Sequence, residues 1–559
     1  MANTLGITAR RNSQRRLIWN IGSVCIALIV IGPILTVASF LFAPATDIWR
    51  HLVATVLSDY IVNSLILMFA VGACSVTIGT GTAWLTTLCE FPGRKVLQWA
   101  LLLPMSAPAY IIAFTYAGML DPAGSIQTLL RTGFAWQYGE YWFPEIRSLW
   151  GAVFVLSLVL YPYVYLLARA AFLEQSVCVL EVSRTLGCGP LRSFTHVALP
   201  LARPAIVAGL VLVSMETLAD YGTVHYFGVP TFTTGIFRSW FGLGDVSAAA
   251  QLATMLMSFI ALLIVFERLL RGRARFHHTS NRYSELPRYR LRAWRALGAL
   301  LCCLIPLSFG FLIPGLQLIW WAIQAAPNLL ELDFYVLFWN TVSLAAVAAI
   351  IISLVALFLA YAQRLQPQAY VVIPARIATL GYAVPGTVIA VGVVILCGWL
   401  DNTVADFLTR CCAYDTGLLL SGGFAALLFA YLVRFLSVSL QTLEAGLSKI
   451  KPSMDEAAQT FGRSPLQIVR EVHVPIMRGT VLTAILLVFI DVLKELPATL
   501  VMRPFNFNTL AVRAYELANE EQLIEASTSG LAIVLAGLVP VIILSQTIAH
   551  SRPGSTTSK

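Results

Sequence analysis

Four carboxylates sit where carboxylates are costly. Glu216 and Asp220 lie four residues apart at the end of an apolar run, and Asp491 and Glu495 repeat that spacing 275 residues later, with Lys494 alongside. An i, i+4 spacing puts each pair on one helix face. A charge at the bilayer centre costs roughly 2.5–3.5 kcal/mol on insertion scales, so such groups face the inside of a bundle and serve a purpose there. Two purposes stand open: lining a translocation path that tolerates or favours a cation, or bracing a gate, with Lys494 paired to a neighbouring carboxylate. No other chemistry assembles. The seven histidines are scattered, with His225 in a loop and His277 and His278 in a basic linker, so no metal site is expected. No nucleophile–base arrangement is visible, and a catalytic residue is expected nowhere. The ten cysteines include Cys25, Cys74, Cys302, Cys303 and Cys397 inside apolar runs and form no CxxC pair, while Cys411 and Cys412 fall in a polar loop. Buried apolar residues fit them better than a disulfide or zinc framework.

Two polar segments share one frame. The first reads Glu181-Val182-Ser183, then Gly187, then Val197-Ala198-Leu199-Pro200; the second reads Glu456-Ala457-Ala458, then Gly462, then Val472-His473-Val474-Pro475. The glutamate suits the first turn of a short helix. The glycine permits a sharp turn where a Cβ would clash. Leu466, Ile468 and Val469 give the second short helix an apolar side, and the proline opens the next helix, where its missing N–H costs little. The pattern predicts an amphipathic elbow, near 181–200 and again near 456–475, joined to membrane helices at both ends.

The elements that must position these residues are membrane helices. The chain has 559 residues, 58% hydrophobic and only 12% charged, with mean hydropathy +0.79. A soluble chain carries about 25% charge. Apolar runs fall near 17–43, 62–88, 96–120, 148–172, 201–219, 247–270, 296–324, 338–362, 371–398, 417–443, 478–502 and 527–549, and a hydrocarbon core of roughly 30 Å needs about 20 such residues. The expectation is an all-α integral membrane protein with about twelve transmembrane helices. Arginines and lysines crowd alternate loops: Arg10 to Arg16, Arg94 and Lys95, Arg184 and Arg192, Arg271 to Arg295, Lys449 to Arg478. The opposite loops hold Asp47, Glu140, Glu331, Asp401 and Glu516 to Glu525. This asymmetry puts both termini in the cytoplasm. The net charge of +9 lies in these loops and the terminal segment rather than along a soluble basic face, so nucleic acid is no expected partner; the lipid bilayer is.

The chain also repeats. Asn63 and Asn340 open corresponding runs, and Ala107-Pro108 and Val384-Pro385 follow at matching places. Two parallel six-helix repeats follow, 1–270 and 296–559, joined by a basic linker at 271–295. With these residues the sequence resembles the permease subunits of binding-protein-dependent ABC importers, whose signature is EAA, three residues, G, nine residues, I-x-LP. The second copy matches at Glu456, Ala457, Ala458, Gly462 and Pro475. The first matches at Glu181, Gly187, Leu199 and Pro200 and departs at Val182 and Ser183. The resemblance implies that each loop docks on an ABC ATPase subunit, two copies in all, and that the chain sits in the bacterial inner membrane. No G-x-x-x-x-G-K-[ST] phosphate loop occurs, so this chain is expected to bind no cofactor and not to be an enzyme, with ATP and Mg²⁺ used by the partner.

The stretch from Asp220 to Thr234 and the stretch from Leu493 to Leu500 are similar to the fused permeases of ferric-iron importers. That similarity implies iron delivered by a periplasmic binding protein; thiamine importers share the fused layout and part of the second stretch. Thr234-Gly235-Ile236-Phe237-Arg238 and Thr509-Leu510-Ala511-Val512-Arg513 also correspond, which makes Arg238 and Arg513 candidates for docking that protein or, equally, ordinary loop charges. An ion-coupled secondary transporter is the contrasting reading, and it predicts uptake by the chain alone.

Overall fold

Without water, a chain can satisfy its N–H and C=O groups only internally, and helices do this segment by segment. The computed structural model describes residues 2–44, 46–174, 189–271, 288–325, 332–412 and 420–550, and it is helical through most of them. Among the described residues nine helices are long and apolar enough to cross a membrane, or up to eleven if two sharply bent pairs count as one span each. Part of the shortfall from twelve has a local cause. Ala107 and Val384 precede prolines, which disfavour the helical region for the residue before them. Both are extended, at φ −100°, ψ 123° and φ −90°, ψ 129°. The run 96–120 therefore bends by 90° between Arg94–Ser106 and Ala109–Phe134. The run 371–398 becomes the helices Ala369–Ala378 and Gly386–Cys412 with a 3₁₀ turn, Leu380–Ala383, between them. The run 478–502 likewise divides into Arg478–Leu493 and Pro497–Met502.

The helices cluster into two compact units, each drawn from separate stretches of chain. One unit comprises Met1–Thr46, Gly244–Thr254 and Tyr335–Thr509. Its first helix, Ala2–Ser39, packs on Ala369–Ala378 and on Gly386–Cys412. Trp19 stacks on Phe358 with ring centroids 4.7 Å apart, and Thr254 Oγ1 donates to the Val37 carbonyl at 2.7 Å. The first span of the chain thus shares a core with spans from the second repeat.

The other unit comprises Asp47–Leu243, Met255–Phe334 and Leu510–Lys559. Its centre is the bundle of Leu57–Leu88, Leu149–Glu174 and Leu199–Ala219. Apolar side chains alone drive little association in lipid, so close approach through small residues matters. A Cβ on Gly79 would stand 2.8 Å from the Tyr165 nitrogen and 2.9 Å from the Tyr161 oxygen. At the end of this bundle the Tyr165 hydroxyl donates to the Gln98 carbonyl at 2.7 Å. Tyr289 and Arg290 of the linker form a two-residue parallel ladder with Cys89 and Glu90.

Candidate functional site

The second elbow is built as a helix, a turn and a helix. Pro452 opens Pro452–Thr460, where its missing N–H costs nothing. The helix closes on Gly462, whose φ of +75° lies in the left-handed region. The Gly462 N–H donates to the Gln459 carbonyl at 2.9 Å and the Arg463 N–H to Ala458 at 3.2 Å, the paired bonds of a Schellman cap. Glu456, Ala457 and Phe461 are exposed, Ala458 is half-buried, and Phe461 is 83% exposed. Ile468, 1% exposed, faces inward from the second short helix, Pro465–Ile468. Pro200 stands in the first turn of Leu199–Ala219, as a helix-opening proline should, with Leu199 half-buried. Pro475 does not open its span: it lies in the short Val474–Ile476, and the membrane helix begins at Arg478 after a 75° bend. Glu181 and Gly187 lie outside the described residues.

Behind this elbow lies a polar network. The Arg364 guanidinium donates through Nε to Asp455 Oδ2 at 2.6 Å, and through its two terminal nitrogens to the carbonyls of Leu447 at 2.6 Å and Ile450 at 2.9 Å. The other oxygen of Asp455 accepts from His473 Nε2 at 2.6 Å.

The four carboxylates of the membrane helices do different work. Asp220 ends Leu199–Ala219, and its Oδ1 accepts the N–H groups of Thr223 and Val224 at 3.0 and 3.1 Å. It thereby caps the next short helix, Gly222–Tyr226. Glu495 repeats the role in the other unit: its Oε1 accepts the Ala498 N–H at 3.1 Å at the start of Pro497–Met502. Each carboxylate serves the donors a helix start leaves unpaired. Glu495 is also held by Arg434 at 3.3 Å, with side-chain exposures of 5% and 13%. Gly386 leaves the room: a Cβ there would stand 1.9 Å from Arg434 Nη1 and 2.6 Å from Glu495 Oε1. Asp491 pairs with Lys494 at 2.9 Å, and Glu216 is half-buried near the end of its helix.

Beyond the Asp220 break, Thr231 and Thr234 form a reciprocal capping box on Phe232–Phe237. Arg238 and Arg513 are both exposed. His225 Nδ1 meets the Tyr515 hydroxyl at 2.6 Å, and Tyr221 stacks on Phe237. Arg147 joins Asp121 at 2.8 Å and Glu521 at 2.7 Å, beside a cavity of about 560 Å³ lined in part by Gln127, Tyr138 and Tyr141. No group of three or more His, Cys, Asp or Glu side chains suited to a metal ion occurs among the described residues; His277 and His278 lie outside them.

Membrane helices interrupted at equivalent prolines and carboxylates, with an exposed helical elbow between spans, define an all-α, multi-pass membrane permease. Its repeat extends to sequence patterns held in common with other proteins. The chain belongs to the family of binding-protein-dependent transport system inner membrane components, matching its pattern over residues 75–276 and again over 373–553. It is 26% identical over 503 residues to the Fe(3+)-transport system permease protein FbpB 2 of Haemophilus influenzae, covering 87% of this chain and 90% of the relative. It is 21% identical over 513 residues to the ferric transport system permease protein FbpB of Actinobacillus pleuropneumoniae, covering 86% of this chain and 69% of the relative. A molybdenum transport system permease protein, ModB of Escherichia coli K12, is 29% identical over 211 residues, 36% of this chain and 87% of that one.

Sequence reasoning missed Arg364, Arg434, Asp455 and His473. Arg434 had a usable signal, since it is the one charged residue in the middle of an apolar helix, Phe424–Leu447. Asp455 directly precedes Glu456, and His473 fills the variable position before Val474, so each was hidden by a neighbour that fits the motif.

Proposed function

We propose that this chain is the permease of an ATP-driven importer that takes ferric iron from a periplasmic binding protein and releases it in the cytoplasm. The observation that carries the reading is the exposed elbow capped at Gly462, with Glu456, Ala457 and Phe461 turned outward: a rigid projection suited to a separate motor. Both ferric relatives align along almost the whole chain, and this favours iron; the molybdenum relative, aligned over about a third, supports a molybdenum cargo as the second reading.

In this mechanism both termini and both elbows are cytoplasmic. Two ATPase subunits, using ATP and Mg²⁺, engage the loops at Glu181, Gly187, Leu199 and Pro200 and at Glu456, Ala457, Ala458, Gly462 and Pro475. ATP can drive the change only if the ATPase binds the outward-facing form better than the inward-facing one. Glu216, Asp220, Asp491, Lys494 and Glu495 border the path. Asp220 and Glu495 act there chiefly as helix caps and Asp491 with Lys494 as an ion pair. Arg238 and Arg513, exposed within one unit, are the docking candidates for the binding protein.

The test is uptake in proteoliposomes holding this chain, its ATPase and a binding protein loaded with ferric ion or with molybdate. ATP-dependent ferric uptake supports the reading; molybdate uptake alone moves it to the second cargo. Uptake driven by an ion gradient without the ATPase would replace it with a secondary transporter.

A further inference from the structure

A side-chain network stands behind the second elbow, built from residues whose positions are filled differently in the first copy of the sequence. Arg364 stands at the end of the Leu332–Leu365 span. Its planar fork offers five donors in fixed directions. One bond goes to Asp455 in the first elbow helix, and two go to Leu447 and Ile450 at the end of the Phe424–Leu447 span. The Leu447 carbonyl also accepts the Ile450 N–H at 3.1 Å, and a cation at this helix end meets the negative end of the helix dipole. Asp455 passes the connection on to His473, beyond the second elbow helix; the carboxylate accepts, so the imidazole donates through Nε2. His473 is 1% exposed and Tyr361, from the same span as Arg364, packs edge-on against it with centroids 5.4 Å apart. Both arms of the elbow are therefore fastened to two spans through one guanidinium and one carboxylate, with Arg364 and Asp455 side chains only 15% and 18% exposed.

The first copy cannot repeat this. At the same distances from its own glutamate and proline it carries Leu180 and Ala198, which offer neither an acceptor nor a ring donor.

We propose that Arg364, Asp455 and His473 are positioning residues that make the second elbow the stiff joint of the pair, so that displacement by the motor is delivered chiefly through the second repeat. This rests on the importer reading above. The residues act through the elbow: they fix the angle at which Glu456 and Phe461 are presented.

The experiment compares the unaltered chain with Arg364→Gln, Asp455→Asn and the milder His473→Gln, whose amide keeps a donor, each in complete transporter reconstituted with ferric-loaded binding protein. Uptake and ATP hydrolysis are read in the same vesicles, with hydrogen exchange across 452–476 as the structural readout. Typical coupling energies predict that ferric ions moved per ATP fall about fivefold or more in Asp455→Asn and Arg364→Gln, with faster exchange in the elbow. His473→Gln, which keeps a donor toward Asp455, should show a much smaller loss. An unchanged ratio in Asp455→Asn overturns the inference. So does loss of the ATPase from all three purified complexes, which would assign these residues to holding the partner. Absence of ATP-dependent ferric uptake by the unaltered chain would instead remove the importer reading itself.

Discussion

Glu495 and Arg434 allow the energetics of one buried pair to be worked through. Their side chains are 5% and 13% exposed and meet at 3.3 Å. Glu495→Gln removes the negative charge while keeping an oxygen for the Ala498 N–H, so it isolates the ion pair. Leaving a buried charge without its counter-charge costs about 3–5 kcal/mol. Glu495→Ala removes the cap as well, worth about 1 kcal/mol more. At about 1 °C per kcal/mol for a chain of 559 residues, thermal unfolding of the detergent-solubilised protein should fall by roughly 3–5 °C for Gln and about a degree further for Ala. Changing both partners, Arg434→Met with Glu495→Gln, removes both charges and should restore most of the loss, because no buried charge is then left without its counter-charge. The coupling in this double-mutant cycle should be about 3 kcal/mol. A double variant as unstable as Glu495→Gln, or a fall below about 1 °C for that single change, which would correspond to about 1 kcal/mol, would show that the pair is not what holds Arg434 in the membrane.

Other consequences can be measured alongside. Asp220→Asn should preserve both stability and uptake, since asparagine caps as well as aspartate, whereas Asp220→Ala should cost about 1 kcal/mol; loss of uptake in the Asn variant alone would assign the charge a role in transport. Gly79→Ala forces a Cβ to within 2.8 Å of the Tyr165 backbone nitrogen and should destabilise by about 1–3 kcal/mol in thermal unfolding. Gly462→Val places a β-branched residue at φ +75°, a strain of about 1–3 kcal/mol; on an exposed turn this should depress uptake far more than it lowers the unfolding temperature. Burial pushes the Cys89 thiol up to about 11, so at pH 8 it is almost wholly protonated and should resist maleimide, while exposed Cys411, as the only cysteine of a variant, should react with an impermeant maleimide from the periplasmic side.

Much of this architecture is legible in composition and spacing because lipid leaves few alternatives. Long apolar runs have to be helices, and registered glutamate, glycine and proline mark elbows wherever they fall. The Schellman cap at Gly462 is what a glycine six residues after the glutamate predicts. The breaks were harder to see. Pro108 and Pro385 stand in plain view, but hydropathy alone does not distinguish a continuous span from two helices meeting at an extended residue. The carboxylates read differently for a related reason: i, i+4 spacing assumes an unbroken helix, and Asp220 and Glu495 stand just beyond the helix ends, where a side-chain oxygen meets free N–H groups instead of a helix face. Arg434 with Glu495, and Arg364 with Asp455, join residues 61 and 91 positions apart, a separation over which no local pattern carries information.

The first helix of the chain packs on Ala369–Ala378 and Gly386–Cys412. The ribosome completes that helix some 330 residues before the earliest of these neighbours, an interval on the order of tens of seconds at roughly 5–20 residues per second. During that time its inward face must be sheltered by lipid or by the insertion machinery. The two repeats are therefore poor candidates for separate genes: cutting between them would leave the later one waiting for a helix that another message has to supply.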